Sequence, residues 1–207
     1  MNAIALDDAY ATLAEYKAVA GHTGTGDDTV ITRDLKTVSR WLEQKLGRFF
    51  AKDTVDQTRL YIVPSRSDTL WIDDLSAAPT SIKIDEDNDG LVTDETALAA
   101  TDFEVRPLNA LVQPEKEAYT HIVLTPWGDD VNFARGLRVQ VVGKFGWPAV
   151  PNQVLTACIE FTRLLRLETP RSTTRITELE GTIAMSRPAQ AMLEELISRY
   201  RMAVPFG

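Results

Sequence analysis

Six consecutive residues, Asp85-Glu86-Asp87-Asn88-Asp89-Gly90, carry the densest chemistry in the chain. Carboxylates at positions one, three and five, then glycine at six, match the first half of a calcium-binding loop, and Val92 stands at position eight. The second half departs from that pattern. Position twelve is Thr96, not glutamate, and Glu95 falls one residue short. The stretch before the loop, Ser81–Ile84, alternates as a strand and not as a helix. Asn88-Asp89-Gly90 is equally well explained as a hairpin turn that needs positive φ. Two readings therefore stand here. One is a tight turn. The other is a metal site on Asp85, Asp87 and Asp89 that would make the region a calcium-dependent ligand-binding β module.

The remaining reactive residue types form no constellation. Asp73-Asp74 and Asp129-Asp130 sit beside strand ends, where adjacent side chains point to opposite faces and cannot act as a carboxylate dyad. His22 lies in a glycine-rich loop and His121 on a strand, each without a partner nearby in sequence. Cys158 is the one cysteine, which excludes an internal disulfide framework and suits a reducing compartment. Its place on an apolar helix face makes it a small core residue. No H-E-x-x-H, G-x-S-x-G, G-x-G-x-x-G or P-loop string occurs. The expectation is a protein that is not an enzyme and that uses no cofactor.

The elements that hold these residues follow from periodicity. A short helix is expected over 9–20, with Leu13, Tyr16 and Val19 inward and Gly21 ending it. Asp27 or Asp28 caps a longer helix, 28–49, in which Ile31, Leu35, Val38, Leu42, Leu46 and Phe49 recur by threes and fours. Six short strands rich in β-branched and aromatic residues fill the β region 58–145, separated by Pro64, Pro79, Asn88-Asp89-Gly90, Pro107, Pro114 and Pro126. They predict a small antiparallel sheet or sandwich between helices, an α+β fold. A polar stretch after Glu168 reads as an extended arm. It ends in a helix over about 187–202, with Pro188 at its start and Ala189, Met192, Leu193, Leu196, Ile197 and Tyr200 on one face. Alone, that helix would be marginal in water, so it either folds back or packs on a neighbouring molecule.

The most organised stretch is 137–168. Leu137, Val139 and Val141 alternate with Arg138, Gln140 and Val142, and then a corner of Gly143, Gly146, Trp147, Pro148 and Pro151 ends the strand. The helix that follows, 152–168, shows Val154, Leu155, Cys158, Phe161, Leu164 and Leu165 on one broad face. This junction, with Val141, Gly143, Phe145, Gly146, Trp147, Val150, Pro151, Val154 and Ala157, resembles the head–tail connector (head-to-tail adaptor) proteins of long-tailed, siphovirus-type phages. The short helix, glycine, acidic loop and long helix ending Gly47-Arg48-Phe49-Phe50 extend the resemblance over roughly 10–168.

The resemblance implies a body, 1–168, and a C-terminal arm and helix, 169–207, reaching neighbours or the portal. It implies a virion neck protein, assembled in the host cytoplasm, that forms a ring of about twelve copies beneath the portal protein. Such a ring would extend the DNA channel and seat the next neck, stopper or tail protein. Arg187, Met192, Leu196, Tyr200, Val204 and Phe206 are the expected contact residues, chosen by position and apolar face. Charge is compatible with DNA passing through without specific binding. The net charge is −8; residues 160–207, with seven Arg and six Glu, sum to +1, which leaves −9 on residues 1–159. An acidic body repels phosphates. The N-terminus carries no basic, apolar leader, and no stretch approaches the roughly 20 apolar residues of a membrane span. A cytoplasmically made protein with no membrane contact is expected.

Overall fold

A computed structural model describes residues 9–112, 114–126, 133–168 and 187–201. The chain divides into two compact units. Of the described residues, those up to 50 and from 150 onward build a helical unit, and those between 51 and 149 build the β unit. Across the described residues no helix is long and apolar enough to cross a membrane.

In the helical unit, α1 (Leu13–Ala20) begins later than periodicity suggests. Thr12 closes a capping box there: its Oγ1 accepts from the Glu15 amide at 3.2 Å, while Glu15 Oε2 accepts from the Thr12 amide at 2.7 Å. Gly21, in the left-handed region at φ 64°, ends it as expected. α2 (Asp28–Leu46) buries Ile31, Leu35, Val38, Leu42 and Leu46 to 1% exposure or less. Asp27 stands at its N-cap position, but its carboxylate accepts Arg166 Nη2 at 3.0 Å instead of capping an amide. The helix stops at Gly47 and does not run to Phe49; the break in period hands the buried position to Phe50. α3 (Asn152–Glu168) buries Val154, Ala157, Cys158, Ile159, Phe161 and Thr162, while Leu155, Leu164 and Leu165 are half-buried. Cys158 is fully buried with Sγ 3.4 Å from Ser39 Oγ, and burial raises its thiol pKa. It is a core residue.

Tyr10 ties the first segment to α2. Its hydroxyl donates to Glu43 Oε1 at 2.5 Å and accepts from the Phe50 amide at 3.0 Å. Burial first, and the Glu43 bond second, hold the Tyr10 phenol far above its ordinary 10.0. Tyr10→Phe leaves the buried Phe50 amide without its acceptor, so a loss of about 1–3 kcal/mol is expected in urea unfolding. Because the folded phenol's pKa is raised, the folded state holds this proton where the unfolded chain releases it. The stabilisation is complete below pH 10 and falls as pH rises further. The gap between the two proteins therefore begins to narrow above about pH 10 and keeps narrowing as pH rises further.

The β unit has two antiparallel three-stranded sheets. In the first, β6 (Arg138–Gly143) lies between β1 (Gln57–Ile62) and β3 (Ser81–Ile84); in the second, β5 (Tyr119–Leu124) lies between β2 (Thr69–Leu75) and β4 (Phe103–Arg106). Both sheets send alternate residues into one core: Ile82, Ile84, Val139 and Val141 from the first, Leu70, Ile72, Leu75, Ile122 and Leu124 from the second. Phe133 and Phe145 fill it from the connections. This is the sandwich form of the expected α+β fold, formed by strands whose period-two alternation the sequence displays.

Candidate functional site

The glycine-tryptophan corner is a structural joint. Gly146 has φ 99°, and its amide donates to the Asp74 carbonyl at 2.6 Å. Trp147 is buried and donates Nε1 to Asp74 Oδ2 at 2.9 Å. Asp53 bonds Phe145 twice, its amide donating to the Phe145 carbonyl at 2.8 Å and its Oδ2 accepting the Phe145 amide at 3.2 Å. Asp73, next to Asp74, faces the opposite way and accepts Arg59 Nη1 at 2.6 Å and the Tyr61 hydroxyl at 3.0 Å. The pair makes no dyad, as strand geometry requires. Asp53 and Asp74 hold backbone and indole groups, and Asp73 holds a guanidinium and a phenol.

The two histidines also lack a catalytic setting. His121 stacks against Trp71 with ring centroids 4.5 Å apart, and burial with the nearby Arg106 lowers its pKa. Among the described residues His22 belongs to no group of three or more potential metal ligands. Asp129-Asp130 lies outside the described residues.

The acidic loop is different. Among the described residues, only Asp85, Asp87 and Asp89 form a group of three or more potential metal ligands, with one carboxylate oxygen from each within 4.8 Å of the others. Asp85 is fully buried at the end of β3; Asp87 and Asp89 are exposed. The tight-turn reading is corrected. β3 pairs with β6 and the next strand, β4, pairs with β5, so residues 85–90 join no two-residue hairpin. Instead the chain leaves β3, loops, and returns beside it through the Lys83–Ala97 bridge and the Leu98 amide on the Ile82 carbonyl at 2.9 Å. Asn88 and Gly90 do take positive φ, 57° and 88°, but within this wide loop. Val92, at position eight, is buried.

The expected contact residues fall into three sets. Leu196 and Tyr200 are buried within the helical unit, where α4 (Arg187–Tyr200) packs on α2 and α3. The final helix thus folds back, because its apolar stripe finds the face beside Phe50, whose ring meets Tyr200 edge-on at 5.6 Å. Arg187 is exposed, and half-buried Met192 lines a groove of about 220 Å³ with Asn152, Gln153, Thr156, Glu195 and Leu196. Val204 and Phe206 lie outside the described residues.

One surface went unnoticed at the level of sequence. β1 is a terminal strand of its sheet, and Leu60 and Ile62 stand 60% and 70% exposed on it. The signal was present: in Leu60-Tyr61-Ile62-Val63 apolar or aromatic side chains stand on both alternating faces, so one pair must face outward.

No family model matches the chain, and neither does any curated protein. Among solved structures, a chain from the neck of an empty gene transfer agent particle, computed with C6 symmetry, aligns with a TM-score of 0.53 at 16% identity; the match covers 94% of this chain and 91% of that one. A chain from the virion of a native gene transfer agent particle aligns at 0.52 and 14% identity, with the same coverage. This chain has the fold of those particle chains. The likeness spans nearly its whole length and supports the head–tail connector resemblance read from the Gly-Trp-Pro junction.

Proposed function

We propose that the chain is a structural neck protein, a ring subunit docked beneath the portal that prolongs the DNA channel and seats the next neck, stopper or tail protein. The observation that carries this is the fold shared over 94% of the chain with a chain of a particle neck. The connector-type junction at Phe145-Gly146-Trp147 supports it independently.

Within this proposal the surfaces have separate tasks. A ring uses a heterologous interface, in which two different patches meet on successive copies. The apolar edge at Leu60 and Ile62 supplies one such patch, since an uncovered edge strand favours a partner. Exposed Arg187 and the groove at Met192 supply the portal contact together with Val204 and Phe206, which follow α4 in sequence. The −9 charge on residues 1–159 keeps duplex DNA sliding, because like charges prevent adhesion.

The test is electron microscopy of the cognate portal mixed with the full chain or with surface variants. Wild type is expected to form a ring under the portal. Arg187→Glu with Met192→Glu is expected to abolish decoration of the portal, and Leu60→Glu with Ile62→Glu to leave incomplete rings. Each double variant should keep its unfolding free energy within about 1 kcal/mol of wild type, because the altered side chains are exposed or half-buried. Failure of wild type to decorate any portal would overturn the neck role. Intact rings with both variants would overturn only the assignment of surfaces.

A further inference from the structure

We propose that Asp85, Asp87 and Asp89 hold a calcium ion that fastens the loop between β3 and β4. The spacing supplies three oxygen ligands from alternate residues, and the fold brings them together: one oxygen from each lies within 4.8 Å of the others. Calcium binds oxygens at about 2.3–2.6 Å, so ligands on opposite sides of one ion stand up to about 5 Å apart. The three carboxylates fit around a single ion of that size. Magnesium demands near-ideal octahedral ligands at about 2.0–2.1 Å, a tighter set than oxygens spread over up to 4.8 Å supply.

The independent sign is Asp85 itself. Its side chain is completely buried, and only Oδ2 has a donor, the Gly90 amide at 3.0 Å. Oδ1 is buried without any hydrogen-bond partner. A buried carboxylate oxygen left unpaired is costly, and two further carboxylates beside it add repulsion. Among the described residues no ion pair to Asp85 relieves this. Arg138 Nη1 donates to the Gly90 carbonyl at 2.7 Å, not to Asp85. A divalent cation at the cluster meets both demands: it gives Asp85 Oδ1 its missing partner and offsets the charge of three acids. The neighbouring hydrogen bonds leave the arrangement ready to receive it. Asp87 Oδ1 accepts the Asp89 amide at 3.2 Å and Asp89 Oδ1 the Leu91 amide at 2.7 Å, so each exposed carboxylate keeps its second oxygen outside these bonds.

The affinity is modest. Position twelve of a calcium loop ordinarily gives a bidentate glutamate, and here Thr96 takes that place. Glu95 does not substitute; its Oε1 accepts the Glu86 amide at 3.0 Å and closes the loop upon itself. Three carboxylates with water and carbonyl oxygens match the weak end of calcium loops, with Kd of about 10⁻⁴–10⁻³ M. The site stands or falls separately from the neck role, because its ligands all belong to one chain.

The full chain, stripped of metal with a chelator, is titrated with calcium chloride and with magnesium chloride by calorimetry, and unfolded thermally in each. Calcium is expected to bind once per chain in that affinity range and to raise Tm by about 3–6 °C at ten times Kd. Magnesium is expected to give less than half the shift. Asp87→Asn with Asp89→Asn keeps an acceptor oxygen for each loop amide, so the variant should fold and lose both the binding heat and the shift. No heat and no Tm change up to about 10 mM calcium would overturn the site. So would an undiminished calcium response in the folded double variant.

Discussion

Gly146→Ala is expected to lower stability by more than about 4 kcal/mol, at the severe end of single substitutions. A Cβ on Gly146 would stand 1.9 Å from the Ala51 carbonyl oxygen, 2.8 Å from its carbon and 2.9 Å from Lys52 Cα. All three obstacles are backbone, so no rotamer can yield. The segment carrying them cannot retreat cheaply either, since Lys52 bridges Gly146 and the Asp53 amide is bonded to Phe145. For a chain of this size the loss corresponds to a fall in Tm of about 8–16 °C, or to failure to accumulate in soluble form. Gly136→Ala separates the clash from backbone strain. Gly136 has φ 90°, but open space surrounds its Cβ position, so only the conformational cost of about 1–3 kcal/mol applies. Thermal unfolding followed by circular dichroism decides the matter. If both variants melt within about 3 °C of each other, steric exclusion at the corner is not what holds Gly146 in place.

Tyr200→Ala is expected to cost about 3–5 kcal/mol, the range for deleting a large buried aromatic. Tyr200 is 4% exposed and closes a row of three rings: Tyr10 meets Phe50 edge-on at 5.7 Å, and Phe50 meets Tyr200 at 5.6 Å. Removing the last ring uncovers Phe50 and opens a cavity where α4 leans on the helical unit. Leu167→Ala, at a side chain 78% exposed, should leave stability unchanged. Differential scanning calorimetry of the isolated protein makes the comparison. A Tyr200→Ala protein that melts like wild type would mean that α4 stays undocked until a partner arrives. The distinction matters for assembly experiments: deleting residues after Glu168 removes a core-forming helix along with any docking surface. Substitutions at Arg187 and Met192, which are not fully buried, separate the two effects.

Element identity was largely legible, because each helix and strand carries its own period. The stripe Ile31-Leu35-Val38-Leu42-Leu46 needs only local spacing to be seen, and so does the alternation Val139-Val141. Partnership was not legible. The acidic loop looked like a hairpin turn because the strands before and after it adjoin in sequence, yet β3 pairs with β6 and β4 with β5. Register between distant strands leaves no trace in either strand's period. The final helix showed an apolar face but not its complement, whose Phe50 lies about 150 residues earlier. Phe49 and Phe50 exchanged places for a local reason: Gly47 turns the chain through the left-handed region, so helical spacing no longer predicts what faces inward. For the candidate metal site, spacing proposed the ligands, while the bare oxygen of Asp85 became visible only with the fold.

The β unit is an insertion whose entry and exit are laced to each other: Lys52 to Gly146, and Asp53 to Phe145 through two hydrogen bonds. This changes the topology that the helical unit meets as it folds. Before the β unit forms, bringing α2 against α3 requires closure of a loop of about 100 residues, with its entropic cost. Once the lacing is in place, the same closure spans only a few residues beyond the laced ends, and the effective contact order of the helical unit drops toward that of a simple bundle. The order of events on the ribosome follows the same logic. The β insert is synthesised whole before α3 emerges, so the long-range step reaches the helices already half solved.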